Sequence, residues 1–363
     1  MKGIILHAGH GTRLKPLTYT RPKQLIPIAN IPMSQYGINS LKDAGITDIA
    51  LVIGGNNSHK VKDYYGNGEK FGIKITYINQ DEPKGISHAV GLCEDFIGHD
   101  KFIVFLGDNV ILKNISDYAQ NFINSEDAAK ILLCEVSNPS QFGIADVTHD
   151  NKILQIMEKP KNPPTNLAVI GIYFLSPIIF NMIKNLKPSW RNELEITDAL
   201  QMLLNSNYVI SYDIITDYWK DTGTPDDIIE ANGTILSGMT PYFYGQKDDN
   251  VTIEGKVLVG KNTQIRNGAK IEGPVIIGEN CLIGGTTHIG PNCSIGNNCK
   301  LNDCSINNSI IMDCCNIDCK INLTQSIVAY NSKILASKDQ KAVIILGEDT
   351  SISISELDKS HEQ

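Results

Sequence analysis

The feature that most restricts the fold is a count. Positions 253, 259, 265, 271, 277, 283, 289, 295 and 301 are Ile, Val, Ile, Ile, Ile, Ile, Ile, Ile and Leu. Aliphatic side chains at a strict spacing of six mark a left-handed parallel β-helix, in which three hexapeptides make one turn and each turn stacks on the last. Four residues after each of them the side chains are mostly small or apolar: Val257, Thr263, Ala269, Val275, Cys281, Thr287, Cys293, Cys299 and Ser305. That register makes Cys281, Cys293 and Cys299 small apolar fillers. For Cys304, Cys314, Cys315 and Cys319, metal ligation is the alternative to packing, although no pair has Cys-x-x-Cys spacing. After Leu301 the large-aliphatic row is expected to lapse while the other row runs on through Ile311, Ile317 and Leu323. Irregular coils and a tail should follow, with Lys341 to Leu346 as one more strand and Ser351 to Gln363 frayed.

Upstream the pattern is different. Short apolar runs alternate with amphipathic stretches, which argues for an α/β sheet covered on both faces. The expected strands are Ile4 to Leu6, Ile49 to Ile53, Ile73 to Ile78, Phe102 to Leu106, Ala129 to Glu135 and Val169 to Phe174. The expected helices are Ser34 to Ala44, Ile86 to Phe96, Pro177 to Leu186 and Pro225 to Leu236, the last with Asp226 and Asp227 in its first turn. A chain of 363 residues suggests about two domains. The boundaries read as 1–240 for the α/β domain, 241–250 for a linker, 251–335 for the β-helix and 336–363 for the tail.

Composition narrows the function classes. A formal net charge of −8 argues against diffuse attraction to nucleic acid or an anionic membrane, so a phosphate site must be a local cluster of Lys and Arg. No apolar run approaches the length of a membrane span. The N-terminus turns polar by His7 and does not read as a signal peptide. Nine cysteines, seven of them between Cys281 and Cys319, then read as reduced thiols of a cytoplasmic protein.

The chemistry starts at Gly3. The run Ile4 to Leu6 empties into a loop with Gly9 and Gly11 followed by Thr12 and Arg13. Glycines let backbone N–H groups approach an anion, and Arg13, Lys15 and Lys23 add positive charge over the same stretch. A dinucleotide-binding loop would need a third glycine where Leu14 stands and an acidic residue near Ile31; a P-loop would need Gly-Lys-Ser/Thr after Gly9. Neither is present. Because ligands of open α/β sheets gather beyond the carboxyl ends of strands, Gly9, Gln80 and Asp108 are expected in one crevice.

The ordered motifs carry a resemblance. Gly9-x-Gly11-Thr12-Arg13-Leu14-x-Pro16-Leu17-Thr18, Pro22-Lys23-Gln24-Leu25-x-Pro27, Asn30-x-Pro32-Met33, Leu106-Gly107-Asp108-Asn109, Glu158-Lys159-Pro160, Glu193 to Asp198 and Trp219 to Thr224 together resemble sugar-1-phosphate nucleotidylyltransferases. Among these the chain is most similar to long-form glucose-1-phosphate thymidylyltransferases, over roughly its first 240 residues. The resemblance implies a Rossmann-like mixed sheet followed by the β-helix. It implies that Mg²⁺ is held by Asp108 and Asp221, that Arg13 braces the leaving pyrophosphate and that Lys23 contacts the transferring phosphoryl group. Lys159 would hold the sugar phosphate and Glu158 accept from sugar hydroxyls. Leu6, Ala8, Gly9, Gly11, Thr12, Arg13, Gln80, Gly85 and Asp108 match the nucleotide-binding positions; Gly143, Glu158, Lys159, Val169 and Gly171 match those around the sugar. A pyrimidine edge offers two carbonyls and an N3–H, which an amide such as Gln80 and a backbone group at Gly85 can read.

The implied reaction joins dTTP, or UTP, to glucose 1-phosphate and gives a nucleotide sugar and pyrophosphate. Two polyanions must meet, and each like-charged pair at 4 Å costs about 4 kcal/mol at an effective dielectric near 20. Fixed cations and a divalent metal answer that cost, and no nucleophilic side chain is needed because the substrate phosphate attacks. His7 and Ala8 depart from the family pattern, where Ala or Ser and then Gly are usual, and His7 is expected to pack beneath the site. Phe142 replaces the Tyr of short-form relatives. The β-helix is expected to serve homo-oligomer contacts or regulation. A bifunctional enzyme transferring an acyl group, with His288 as base, and a sensing subunit that has lost catalysis are the alternatives.

Overall fold

The protein, seen in a computed structural model, is described at residues 1–9, 11–55, 57–148, 150, 152–342, 345–348 and 351–354. The elements run β1 (Lys2–His7), β2 (Pro27–Ile28), β3 (Ile31–Pro32), α1 (Met33–Asp43), β4 (Asp48–Ile53), α2 (His59–Tyr65), β5 (Lys74–Asn79), α3 (Ile86–Gly91), α4 (Glu94–Ile97), β6 (Phe102–Leu106), β7 (Asn109–Ile111), α5 (Ser116–Asn124) and β8 (Ala129–Glu135). Then come β9 (Gly143–Val147), β10 (Ile153–Glu158), β11 (Leu167–Leu175), α6 (Ile179–Ile183), α7 (Ile196–Asn205), β12 (Ile210–Ile214), β13 (Trp219–Asp221) and α8 (Pro225–Gly238). Two compact units share this chain. The first holds Met1–His10, Pro22–Leu25 and Met33–Asp221; the second holds Gly11–Arg21, Ile26–Pro32 and Thr222–Gln363.

In the first unit a mixed sheet runs β10-β9-β11-β6-β1-β4-β5, with β8 on β11 and β12 on β8. Strands β1, β4, β5 and β6 are parallel, in the register Leu6↔Val52 and Leu6↔Leu106, so their carboxyl ends finish along one edge. Alternation along these strands sends Ile4, Leu6, Val52 and Val104 into one buried cluster with Val90, Ile179, Ile196 and Leu200. Ile5, Leu51, Ile53 and Phe105 enter another with Ile38, Leu41, Val61 and Phe122. Period two therefore builds a sheet with a packed core on each face. Full burial of a residue such as Ile5 stabilises the fold by about 1.5–3 kcal/mol.

In the second unit parallel pairs join residues eighteen apart, such as Ile253↔Ile271, Val259↔Ile277 and Ile265↔Ile283, as expected for three hexapeptides per turn in a left-handed β-helix. The large-aliphatic row does not lapse after Leu301. Its pairs become Ile289↔Ile306, Ile295↔Ile311 and Leu301↔Ile317. One residue is dropped at two corners, so Ile311, Ile317 and Leu323 belong to the large row and not to the other one. The expected linker is also corrected: Tyr242–Phe243 and Gln246–Lys247 pair with Leu258–Val259 and Gln264–Ile265, so its backbone already forms coil. At the other end Lys333–Ala342, Ile345–Leu346 and Ser351–Ile354 pair in parallel as further coil strands. The strands thus run past 335, and Ser351–Ile354 is ordered coil where fraying was expected; 355–363 lie outside the described residues.

The cysteines follow from this geometry. Cys281, Cys293, Cys299, Cys304, Cys315 and Cys319 are buried, and burial pushes the Cys293 thiol up to about 12. Cys314 is exposed and takes a corner with φ 61°, the place that Asn262, Asn280, Asn298 and Asn331 hold with φ near 58° in other turns. Among the described residues no group of three or more His, Cys, Asp or Glu side chains is placed to hold a metal.

Candidate active site

At the carboxyl edge of the parallel strands lies a cavity of about 410 Å³ lined by Leu6, Ala8, Gly9, Gln24, Gln80, Gly85, Leu106, Asp108, Arg191 and Glu193. Six of the nine residues matched to the nucleotide therefore meet there. The Gln80 amide donates to the Gly85 carbonyl at 3.3 Å and meets His88 Nδ1 at 2.9 Å, which fixes its plane. Gly85 has φ 101°, and a Cβ there would stand 2.5 Å from the Leu194 carbonyl oxygen, so only glycine fits. Gly11, Thr12 and Arg13 fall in the second unit, where the Arg13 guanidinium lies 3.1 Å from the position a Cβ on Gly223 would take.

A second cavity, about 130 Å³, shares the Ile86 and Leu106 walls and is lined by Gly143, Glu158, Lys159, Val169, Gly171 and Asp221, with Phe142, Tyr173, Thr197 and Trp219. All five residues matched to the sugar are in it. Lys159 takes a left-handed φ of 43°, an uncommon conformation for a long side chain and the kind of strain that gathers at functional sites. Its N–H donates to the Phe142 carbonyl at 3.0 Å, and Phe142 meets the Trp219 ring edge-on with centroids 5.7 Å apart.

The two carboxylates matched to the metal stand one strand pair apart. Asp221 is the cross-strand partner of Asn109, the residue after Asp108, and directly opposed residues are close enough for their side chains to interact. Lys23 Nζ donates to Asp108 Oδ2 at 2.7 Å, and the Asn109 amide donates to its Oδ1 at 3.0 Å. Burial opposes ionisation of Asp108, but the Lys23 charge and these bonds outweigh it and hold the carboxyl below its ordinary value. Trp219 Nε1 donates to Asn109 Oδ1 at 2.7 Å and locks the strand pair from above.

Arg191, outside every quoted motif, carried no signal in the chain itself. Arg191 donates to Glu158 Oε1 and Glu195 Oε1, both at 3.3 Å, and to Glu193 at 3.1 Å. Thr197 donates to Glu158 Oε2 at 3.0 Å. Burial raises the Glu158 carboxyl above its ordinary range, with Glu195 adding to the shift and Lys159, Thr197 and Arg191 opposing it. His7 is buried beneath the strand ends, edge-on to Tyr65, and lines neither cavity. Its ring nitrogens have no partner among the described residues, and burial pulls its pKa down to about 3, against the opposing pull of Asp108. Packing is thus its role here. His288, half-buried in the β-helix, pairs with Glu272 at 3.0 Å. A roomier cavity of about 580 Å³ lies in the second unit against α8, but it offers Asp226 and Glu230 and no basic side chain, which suits no polyanion.

Residues 2–238 match the family model for nucleotidyl transferase, and residues 271–356 match the GMPPB C-terminal domain. The chain belongs to the nucleotidyl transferase family and is a nucleotidyltransferase acting on a sugar 1-phosphate. It is 44% identical, over 72% of its length and 73% of the relative's, to the low-salt glycan biosynthesis nucleotidyltransferase Agl11 of Haloferax volcanii. It is 41% identical, over 74% and 75%, to a glucose-1-phosphate thymidylyltransferase of Streptomyces antibioticus. A solved UDP-glucose pyrophosphorylase with bound UDP-glucose superposes with TM-score 0.60 at 28% identity, covering 66% of this chain and 99% of that one. No helix among the described residues is long and apolar enough to cross a membrane.

Proposed function

We propose that the protein is a glucose-1-phosphate thymidylyltransferase, converting dTTP and glucose 1-phosphate to dTDP-glucose and pyrophosphate. The observation that carries this reading is the pair of cavities with a common Ile86–Leu106 wall, the larger lined by residues matched to the nucleotide and the smaller by those matched to the sugar. The sugar phosphate attacks the α-phosphorus in line with departing pyrophosphate, so the protein's task is to place two polyanions and neutralise them. Enzymes of this family generally use a divalent metal. Asp108 and Asp221 would hold it, their carboxylates being the hard oxygen donors that Mg²⁺ prefers. When bound, the ion supplies charge neutralisation at the phosphates. Lys23 steadies the transferring phosphoryl group, Arg13 the pyrophosphate, and Lys159 the sugar phosphate, while Glu158 accepts from sugar hydroxyls. Gln80 and Gly85 read the pyrimidine edge; neither separates a thymine from a uracil, so UTP is the competing nucleotide. His288 lines none of the described cavities, so no observed pocket supports the acyl-transfer alternative.

The test is steady-state turnover with Mg²⁺, glucose 1-phosphate and each nucleoside triphosphate in turn. dTTP should give the highest kcat/KM with stoichiometric pyrophosphate. A much higher value for UTP or GTP, or for another sugar phosphate, rejects the assignment.

A further inference from the structure

We propose that His7 is a positioning residue: from beneath the strand ends it holds the Gln24 side chain and so aims the Gln24 amide into the larger cavity. The proposal rests on the reading of that cavity as the nucleotide's, and one arm of its test stands without that reading. His7 ends β1, and it, Gln24, Tyr65 and Gly107 all belong to the first unit. Period two carries His7 to the face of Ile5, where its ring meets Tyr65 edge-on with centroids 6.0 Å apart. It is only 1% exposed. After β6 the chain turns into Asp108 at Gly107, whose N–H donates to the Leu6 carbonyl at 3.0 Å. A Cβ on Gly107 would stand 3.3 Å from His7 Cδ2 and 3.1 Å from Gln24 Cγ, so the imidazole and the Gln24 side chain pack on the same point of the backbone.

Gln24 is fixed at its main chain. Its carbonyl accepts from Ser34 Oγ at 3.1 Å, and that hydroxyl lies 2.7 Å from the Tyr65 hydroxyl. Its side chain lines the larger cavity, with Nε2 3.7 Å from the position a Cβ on Gly9 would take. Among the described residues Gln24 Oε1 has no hydrogen-bond partner, and neither ring nitrogen of His7 has one. An imidazole carries at least one N–H in either charge state, and Oε1 is an acceptor. Buried groups of this kind are paired in the great majority of cases. This donor and this acceptor, packed on one glycine, pair with each other through one bridging water. The pairing decides which way the amide points. With Oε1 turned back toward His7, Nε2 faces Gly9 and the cavity; an amide free to flip would as readily present its oxygen, which repels a phosphate. The Ala or Ser usual at this position in the family has no ring to fill the place.

The experiment uses the full chain as wild type, H7F, H7Q, Q24A and H7F/Q24A. H7F keeps a buried ring and loses the N–H, whereas H7Q keeps a donor; H7M, which fills irregular space, replaces H7F if that variant does not fold. With Mg²⁺, glucose 1-phosphate and dTTP, H7F should raise KM for the triphosphate about fivefold, as for one lost hydrogen bond, with kcat and KM for the sugar phosphate within about twofold. H7Q should restore most of it, and H7F/Q24A should be no worse than Q24A, because His7 acts through Gln24. If wild type prefers another triphosphate, the same comparison is made with that one. A second readout needs no turnover. In protein labelled with ¹⁵N-glutamine, the Gln24 side-chain amide, assigned by its absence from Q24A, should exchange with solvent about tenfold faster in H7F and regain its protection in H7Q. Either an unchanged KM or an unchanged amide exchange in H7F overturns the proposal. So does a rise in KM that H7Q fails to restore, or one that adds in full to that of Q24A. If wild type releases no pyrophosphate from any triphosphate, the nucleotide reading falls, and the amide exchange alone decides whether His7 holds Gln24.

Discussion

In the β-helix a residue finds its neighbours by counting: the pairs fall eighteen positions apart, then sixteen or seventeen. In the mixed sheet Leu6, Gln80 and Asp108 meet at one edge although dozens of residues separate them. The difference teaches where chemistry can be kept. A stacked coil repeats one environment, and this one fills its interior with Ile, Val, Leu and uncharged thiols. The sheet edge gathers side chains that no period relates, so charges such as Lys23 and Asp108 are brought together by topology alone.

The largest break should come from the edge. Asp108→Asn is expected to lower kcat about a thousandfold while the melting temperature moves by no more than a few degrees, since it removes charge neutralisation in the transition state and leaves both cores intact. Turnover within a few fold of wild type would take Asp108 out of the metal set. Ile277→Ala tests the other half. Ile277 is fully buried in the coil, so truncation should cost about 2–4 kcal/mol in denaturant unfolding of that domain, with kcat of the folded enzyme unchanged. A kcat loss as large as that of Asp108→Asn would erase the distinction between the two regions.

Smaller effects sharpen the picture inside the edge. Lys159→Met should raise KM for the sugar phosphate about ten- to a hundredfold and leave KM for the triphosphate within about threefold, because the lysine lines the second cavity and not the first. Equal rises in both would mean that the cavities do not divide the substrates. The smallest effect concerns Glu158, whose carboxyl is raised by burial and by Glu195. Because its folded value lies above the ordinary one, its ionised form is lost at a higher pH than for a free glutamate as acid is added. That raised value disfavours the folded state at neutral pH and the penalty eases on acidification, so affinity and not stability should suffer. KM for the sugar phosphate is expected to climb a few fold as pH falls toward the carboxylate range, more steeply than in Glu158→Gln, whose profile should lack that titration. Parallel profiles would contradict the assignment.

Much of this was legible in the chain because the signals were local or periodic. The six expected strands are present with ends shifted by at most two residues, and Thr224 with Asp227 forms the capping box that opens α8. Coil shortening after Leu301 was not legible, since dropping one residue at a corner leaves no local mark except that the six-spaced row breaks. Helices α2, α5 and α7 were not read, and the 10-residue α7 owes its place to apolar packing under β10 and beside α6. Arg191 escaped because its role exists only when the loop before α7 meets Glu158, 33 positions earlier. Glycine behaved differently: Gly143 and Gly171 were expected for close backbone approach, and a Cβ would stand 2.7 Å from Thr197 Cγ2 on the first and 2.7 Å from Leu106 Cδ1 on the second.

One competition experiment bears most directly on the claim that the sheet edge joins a thymidine nucleotide to a hexose phosphate. The purified full chain is offered dTTP, UTP, CTP, GTP and ATP together with Mg²⁺ and glucose 1-phosphate, and the products are identified by mass. The account predicts dTDP-glucose as the dominant product with one pyrophosphate for each. A different nucleotide sugar in excess, or triphosphate hydrolysis without any sugar adduct, would contradict it.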